Sequence, residues 1–478
     1  MSNKVFSIGI VSSACSESFM QMLEANIAEC ADKPNVIKSN IEWPEVENKD
    51  NKFIVSSDRK LQVFEEVDQL IKQGADVIAF PCLCALSWLE ELQTEVQTPI
   101  ANMGKAIAKS LATTENARLG YLGIPETAKQ KALVENVKLD NVSWIYLSEQ
   151  AHLIEEFKTL ACAQKKTEAL EKLAEACRVL VNRGATAIVP SCCCMATFVK
   201  ELQEQGMPVL DLAAIYAQYL VQTEWKPLAK PFKLGLVGGL GPAATVDLYD
   251  KFTKATPALN DQEHFKVVIE QNPQVPDRTK CLLDGGVDPT LALFAACRKL
   301  EADGVDAILI PCNTAHAFFE AIAPRLRAPI INMQRVTLED IQEKHGKDCV
   351  IGLLATTGTC RTGIYGKKAE EMNLKMVTPD EQYQKLVMSA IYGPKGVKAG
   401  FNTGVCREEL LEAARHLVRD KGANVLILGC TELPLILDES EAMDIGEGLT
   451  AAVVDPSATL ARRAVKVATE ITKIRGRL

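Results

Sequence analysis

The sequence contains an internal repeat, and this repeat limits the folds open to the chain more than any other feature. Three segments recur in the same order, two of them 230 residues later and the third 238 residues later. The matched pairs are "GADVIAFPC" (74–82) with "GVDAILIPC" (304–312), "TPIANM" (98–103) with "APIINM" (328–333), and "GATAIVPSC" (184–192) with "GANVLILGC" (422–430). Because chance rarely keeps both order and spacing, we infer two tandem modules of one fold, 1–222 and 233–478, joined by a linker at 223–232.

Short apolar strands alternate with longer amphipathic helices, which is typical of an α/β fold whose parallel sheets are covered on both faces. The predicted strands of the second module are 233–239, 265–271, 306–312, 328–333, 349–356 and 424–430. A predicted helix such as 288–304 provides the crossover that parallel neighbours require. Each module also contains two strand–cysteine–helix segments. We therefore predict tandem modules, each with two parallel-sheet α/β lobes that face a cleft.

The composition limits which kinds of molecule the protein is expected to bind. Of 478 residues, 47% are hydrophobic and 24% are charged, and the net charge of −9 gives no reason to expect nucleic acid or an anionic membrane as a partner. There is no apolar run of the length that a membrane span needs, and the start of the sequence does not resemble a secretion signal. We therefore expect a cytoplasmic protein whose 16 cysteines are reduced.

Two cysteines of the second module occupy equivalent places. Cys312 and Cys430 each follow a predicted buried strand, at the end of the sheet where open α/β folds bind ligands. A helix is predicted to begin directly after each cysteine, and its dipole is expected to lower the pKa of the thiol. The alternative, a small buried cysteine that merely ends a strand, is weakened because the arrangement occurs twice in one module.

A pair of thiols that face each other across a cleft suits racemisation at Cα. One thiolate removes the proton from one face of the carbon, and the opposite thiol supplies a proton to the other face. The carbanion next to a carboxylate needs positioned donors. The candidates are Arg278, in a loop that prolines rigidify, and Lys395 or Lys398, on a glycine-rich loop.

Six segments of 233–478 strongly resemble, in order, the cofactor-independent aspartate/glutamate racemase superfamily, and its aspartate racemase branch in particular. They are "GLVGGLGPAAT", "NPQVPDRT", "PCNTAH", "LLATTGT", "IYGPKGVKAG" and "LGCTELPL". The resemblance implies that Cys312 and Cys430 are the two catalytic thiols and that the enzyme needs no pyridoxal phosphate or other cofactor. Leu240 and Ala243 depart from the family pattern, where methionine and an acidic residue are usual, and these changes bear on fine specificity.

The resemblance also assigns substrate-binding roles. Arg278 and Lys398 are implied to hold the substrate carboxylates, with Lys395 in reserve. The other implied substrate-binding residues are Asn313, Thr314, Thr431, Gly239 and Thr357. No metal ligand is expected in this module.

Two further residues lie close to the thiols in sequence. His316 follows Cys312 by one helical turn, so it either supports the thiolate or is a packed core histidine. Glu432 either steadies the site, receives the substrate ammonium or caps a helix.

The glycine-rich turn permits a different interpretation. Gly239, Gly241 and Ala244 satisfy the G-x-G-x-x-A pattern after a strand, and Glu270 ends the next strand as a ribose-binding acid does in nicotinamide-dependent dehydrogenases. That interpretation leaves both strand-end cysteines unexplained.

The first module keeps cysteines at the equivalent places, Cys82 and Cys192, but changes the residues around them. "PCNT" becomes "PCLC", "GCTE" becomes "SCCC", and Arg59 is the counterpart of Arg278 without the proline frame. We expect a diverged copy with weak or no turnover of aspartate. The alternative is a soft metal site formed by the thiols of Cys82, Cys84, Cys192, Cys193 and Cys194.

The prediction for the whole chain is a cofactor-independent isomerase that interconverts L- and D-aspartate through Cys312 and Cys430. A glutamate racemase of the same fold and a non-catalytic amino-acid-binding protein are the alternatives. The expected partner is a small acidic amino acid, with a second copy of the chain as a further candidate.

Overall fold

The computed structural model describes residues 5–12, 17–40, 57–125, 128–191 and 193–476. The chain divides into two compact units, Met1–Leu228 and Ala229–Leu478. Within the described ranges, no helix combines the length and the apolar composition that a bilayer crossing requires.

Among its described residues, the first unit contains two sheets, and every strand pairing in them is parallel. The strand order is β2-β1-β3-β4 in one sheet and β6-β5-β7 in the other. The strands are β1 (Ser7–Ser12), β2 (Asn35–Asn40), β3 (Val77–Ala79), β4 (Ile100–Ala101), β5 (Ala117–Leu122), β6 (Val142–Ile145) and β7 (Ala187–Pro190). The helices are α1 (Glu17–Ala28), α2 (Ser57–Lys72), α3 (Leu89–Glu95), α4 (Met103–Leu111), α5 (Ala128–Asn136), α6 (Ala151–Cys162), α7 (Lys166–Asn182), α8 (Cys193–Ala196), α9 (Val199–Glu204) and α10 (Leu212–Gln222).

The second unit repeats this plan, with sheets ordered β10-β8-β9 and β12-β11-β13-β15-β14. The strands are β8 (Lys233–Gly238), β9 (Lys266–Gln271), β10 (Ala307–Leu309), β11 (Val350–Leu354), β12 (Lys375–Val377), β13 (Val425–Leu428), β14 (Ser440–Gly446) and β15 (Leu449–Val454). The helices are α11 (Pro242–Ala255), α12 (Arg278–Asp284), α13 (Thr290–Ala302), α14 (Phe319–Ile322), α15 (Met333–His345), α16 (Thr357–Thr362), α17 (Ile364–Glu371), α18 (Glu381–Tyr392), α19 (Val405–Lys421) and α20 (Pro456–Ile474).

The predicted architecture, tandem α/β modules of two lobes each, is confirmed. Strands β10 and β13 are buried along their whole length, as expected for parallel strands with helices on both faces. The last helix, α20, returns to the first lobe of its unit, where Leu460 and Ala464 join the core formed by Leu234 and Leu309. This return ties the two lobes of the second unit together.

Two details differ from the sequence-based expectation. The segment 328–333 adds only one bridge, between Ile308 and Ile330, because Asn332 caps α15 two residues later and turns the chain away from the sheet. Strand β14 pairs antiparallel with β15. The tight turn between them holds Glu447 at a φ of 59°, flanked by two glycines with positive φ.

Candidate active site

Both cysteines of the second unit line the same pocket, which encloses about 310 Å³. Eight residues singled out from the sequence line it: Arg278, Cys312, Asn313, Thr314, Lys398, Cys430, Thr431 and Glu432. The volume lies at the lower end of the range for ligand pockets, which suits a small ligand. The pocket therefore brings together one thiol from each lobe of the unit.

Neither thiol precedes a long helix, so that part of the prediction was wrong. Cys312, which follows β10, leads into a 3-10 turn at Thr314–Phe318, and Cys430, which follows β13, leads into a 3-10 turn at Leu433–Leu435. Turns of this length carry little aligned dipole. The charge around each sulfur atom therefore comes from side chains.

Arg278 is the charged neighbour of Cys312. Burial works against the charged guanidinium, but the charge and hydrogen bond of Cys312, together with Asp277, raise the pKa of Arg278 above its usual value. Arg278 therefore stays cationic beside the sulfur atom of Cys312.

The backbone of two loops fixes the Arg278 guanidinium. Nη1 donates to the carbonyls of Val275 (3.2 Å) and Pro276 (3.1 Å), and Nη2 donates to the carbonyl of Leu240 (2.8 Å). Nε is buried and has no partner within the described part of the chain. The Nε edge of the guanidinium is thus left to face a thiolate or a carboxylate.

Cys430 has a different environment. Its Sγ donates to Oε2 of Glu432 at 3.0 Å, and Oε1 of Glu432 forms an ion pair with Nζ of Lys398. Burial, and next the Glu432 carboxylate, raise the pKa of Cys430 well above its usual value, whereas Lys398 opposes this effect. The predicted lowering of this pKa is therefore wrong for Cys430, whose thiol stays protonated.

Lys398 is held as a cation by the same cluster. Burial disfavours its charge, but Glu432 and Cys430 raise the pKa of the ammonium group. Its Nζ also lies 5.4 Å from the ring centroid of Tyr392. Lys395, the reserve candidate, is exposed and does not line the pocket.

Asn313 contributes a buried amide to the pocket. Its Oδ1 accepts a hydrogen bond from the hydroxyl of Tyr365 at 2.7 Å. Its Nδ2 is buried and lacks a partner among the described residues. An amide nitrogen in this position is available to donate to a ligand carboxylate.

Threonine hydroxyls link the two lobes beneath the pocket. Oγ1 of Thr314 lies 3.2 Å from that of Thr356 and 2.9 Å from that of Thr359. Oγ1 of Thr431 donates to the carbonyl of Pro311 at 3.2 Å. Thr314 and Thr431 therefore hold the strand ends together as well as lining the pocket.

Gly239 and Thr357 do not line the pocket. Gly239 has a φ of 91°, and a Cβ there would lie 2.4 Å from the backbone of Asn272, so the position requires glycine for the turn after β8. The hydroxyl of Thr357 accepts from Gln384 at 3.3 Å, and its neighbour Thr356 is the residue that lines the pocket.

His316 supports the backbone of Cys312. Met333 N–H donates to Nε2 at 3.2 Å, so Nδ1 carries the proton and donates to the Cys312 carbonyl at 2.9 Å. Burial lowers the pKa of His316 to about 4, which keeps the ring neutral. The histidine therefore positions the loop of Cys312 and does not supply a proton.

Leu240, noted from the sequence for its bearing on specificity, also lines the pocket, whereas sequence reasoning missed Asp277, Thr279, Thr356 and Tyr392. All lie within the segments that carried the resemblance. The available signal was proximity in sequence: Asp277 and Thr279 adjoin Arg278, Thr356 adjoins Thr357, and Tyr392 lies six residues before Lys398. Periodicity does not say which of these side chains turn inward.

The dehydrogenase interpretation does not fit the turn after β8. A Cβ on Gly241 would lie 2.3 Å from Oε1 of Glu432, so a carboxylate occupies the side of the turn that a pyrophosphate would approach. Glu270, the candidate ribose ligand, forms an ion pair with Lys299 at 2.6 Å.

The first unit has a cleft at the equivalent strand ends, enclosing about 480 Å³. Cys82 lines it, but the other described lining residues are apolar except for Ser18, and none of them is ionised. Cys192 lies outside the described residues, as do the side chains of Arg59, Cys84 and Cys193. The part of the chain that is described contains no group of three or more His, Cys, Asp or Glu residues placed to hold a metal ion.

Comparison with known proteins reveals similarity to one family in both units. The model of the Asp/Glu/Hydantoin racemase family matches residues 8–220 and again residues 237–464. The broad specificity amino-acid racemase RacX of Bacillus subtilis is 27% identical over 248 residues, which cover 48% of this chain and 96% of that protein.

Two further relatives carry more specific names. Glutamate racemase 3 of Caldanaerobacter subterraneus is 26% identical over 175 residues, 37% of this chain and 60% of that protein. The structure of Picrophilus torridus aspartate racemase has 31% sequence identity and a TM-score of 0.42, and the match covers 52% of this chain and all of that one.

Proposed function

Because the chain belongs to the Asp/Glu/Hydantoin racemase family, we propose that it interconverts the L and D forms of an acidic amino acid, aspartate in the first place, at the pocket of the second unit. The observation that carries the proposal is that Cys312 and Cys430, one from each lobe, line a single small pocket. The cationic side chains of Arg278 and Lys398 line the same pocket.

The two thiols perform the proton transfers. Cys312, as the thiolate beside Arg278, removes the Cα proton of one enantiomer and becomes a thiol. Cys430, as the thiol bonded to Glu432, delivers its proton to the opposite face and becomes a thiolate. The reverse reaction begins from this second protonation state, so both enantiomers are substrates.

Fixed cations and donors support an acidic substrate. Arg278 and Lys398 offset the charge of two carboxylates, and they also stabilise the negative charge that develops next to the α-carboxylate when the Cα proton leaves. Asn313 offers Nδ2 as a neutral donor. Glu432 lies beside Lys398 and limits the net positive charge of the pocket.

The test is incubation of the full chain with L-aspartate, and separately with L-glutamate, in deuterated water. We expect the D isomer to appear with deuterium at Cα, and kcat/KM to be higher for aspartate than for glutamate. Preference for glutamate would assign the same chemistry to the longer substrate. Binding of either acid without exchange or inversion would contradict the proposal.

A further inference from the structure

Tyr365 lies behind the pocket and contacts it only through another residue. It belongs to α17 of the second lobe, is fully buried and does not line the pocket. Its hydroxyl donates to Oδ1 of Asn313, which follows β10 of the first lobe. The hydrogen bond therefore reaches from one lobe to a pocket residue of the other.

Asn313 is held at two points, one on its main chain and one on its side-chain amide. Gln334 Nε2 donates to the backbone carbonyl of Asn313 at 3.1 Å, which fixes the main chain. Tyr365 occupies Oδ1, which fixes the rotation of the amide plane. With the oxygen turned toward Tyr365, the Nδ2 protons are the part of the amide that is left for a ligand.

The orientation of this amide matters for an anionic ligand. An amide that points Nδ2 at a carboxylate donates a hydrogen bond, whereas the same amide rotated by half a turn points Oδ1 at it and repels it. The buried phenol stays protonated, because burial raises the pKa of Tyr365. It therefore keeps the hydroxyl proton that it donates to the amide oxygen.

We propose that Tyr365 is a positioning residue, whose hydroxyl holds the amide of Asn313 so that Nδ2 donates to a carboxylate of the bound acidic amino acid. The proposal rests on the proposed function for the identity of the ligand. In this role Tyr365 increases the affinity for substrate although it lies outside the pocket.

A double-mutant cycle on the full chain tests this role. The affinity for L-aspartate is measured by titration calorimetry in the wild type, Tyr365→Phe, Asn313→Ala and the double variant. Tyr365→Phe keeps the ring in the core and removes only the hydroxyl. We expect it to raise Kd by about tenfold, the effect of losing one well-oriented hydrogen bond to a charged group. In the Asn313→Ala background the same change should leave Kd unaltered.

Tyr216→Phe is the matched control, because its buried hydroxyl donates to the Ala101 carbonyl at 2.8 Å in the first unit. It should lower thermal stability without changing Kd. Wild-type Kd in Tyr365→Phe, or an equal rise in Kd with and without Asn313, would overturn the positioning role.

Racemisation rates of the same proteins keep the two proposals apart. If the wild type binds L-aspartate without racemising it, the proposed function is contradicted. The Kd values of the double-mutant cycle still decide the role of Tyr365 in that case. A wild type that does not bind L-aspartate overturns both.

Discussion

Cys312 and Cys430 end equivalent strands, but their neighbours place different charges beside the two sulfur atoms. The cationic Arg278 lies beside Cys312, whereas burial and the Glu432 carboxylate raise the pKa of Cys430 and favour its protonated thiol. A two-thiol racemase needs one base and one acid at the start of each turnover. The environment of Cys430 thus keeps this thiol protonated, as the acid of such a pair must be.

The role of Glu432 predicts a change in pH dependence. A thiol with a raised pKa stays protonated to higher pH, and Glu432→Gln removes one of the causes of the rise at Cys430. Cys430 of the variant should then lose its proton at lower pH. In the reaction direction that uses Cys430 as the acid, the alkaline decline of kcat/KM should move to lower pH.

The measurement is the pH profile of kcat/KM in both reaction directions. Glu439→Gln is the control, because Glu439 also forms an ion pair, with Arg462 at 2.8 Å, but lies outside the pocket. An unchanged alkaline decline in Glu432→Gln would show that Glu432 does not control Cys430.

The positions of the thiols could be predicted from the sequence, but the state of Cys430 could not. Apolar runs reveal where buried strands end, and so they place each cysteine at the carboxyl edge of its own sheet. The raised pKa of Cys430 depends on burial and on Glu432, whose carboxylate is held by an ion pair with Lys398, 34 residues away in the chain. That contact is formed by tertiary packing and leaves no periodic pattern.

Among the elements, the turn between β8 and α11 packs closely against the site. Gly239 allows the positive φ of the turn, and Gly241 lets the chain pass directly beside Glu432. The φ of Gly241 is 174°, which any residue can adopt, so only space demands glycine there.

Gly241→Ala should therefore damage catalysis without straining the backbone. The added methyl group would meet Oε1 of Glu432 and displace a carboxylate that contacts both Lys398 and Cys430. We expect kcat to fall by about 100-fold, since small displacements of catalytic groups have effects of this order.

Gly366→Ala is the comparison, because a Cβ there would meet nothing within 4 Å. Its position inside α17 suggests a gain in unfolding free energy of about 0.5–1 kcal/mol. Steady-state kinetics and urea unfolding of both variants check these expectations. Normal turnover in Gly241→Ala would mean that Glu432 can move aside without consequence.

Element boundaries around the thiols were harder to predict than the elements themselves. The segments after Cys312 and Cys430 have helical spacing of apolar residues, yet each forms a 3-10 turn first. Pro434 and the hydrogen bonds of Thr314 and Thr431 across the lobes shape these turns. Such contacts override local propensity.

At the scale of the whole molecule, two units share one plan but not one set of site residues. The repeat was visible in the sequence because the apolar strands of both units persist. The clefts have diverged: Asn313 and the charged residues of the second unit line its pocket, whereas apolar side chains predominate among the described residues of the first cleft. Strand burial preserves the fold without preserving the chemistry.

Because of this difference, we expect racemisation to depend on Cys312 but not on Cys82, its counterpart in the first unit. Cys312→Ser in the full chain should lower racemisation by about 100-fold or more, the usual contribution of a general acid or base. Cys82→Ser, the same change at the matching position of the first unit, should leave the rate unchanged. A comparable loss in Cys82→Ser would show that the first unit takes part in turnover.

The central claim is that Cys312 and Cys430 act on opposite faces of one carbon atom. The direct test uses NMR to monitor hydrogen–deuterium exchange at Cα in deuterated water. Each variant, Cys312→Ser and Cys430→Ser, is incubated separately with L-aspartate and with D-aspartate. We predict that neither variant racemises, and that each exchanges the Cα hydrogen of only one enantiomer, a different one in each variant. Racemisation by either variant near the wild-type rate, or exchange of the same enantiomer by both, would contradict the account.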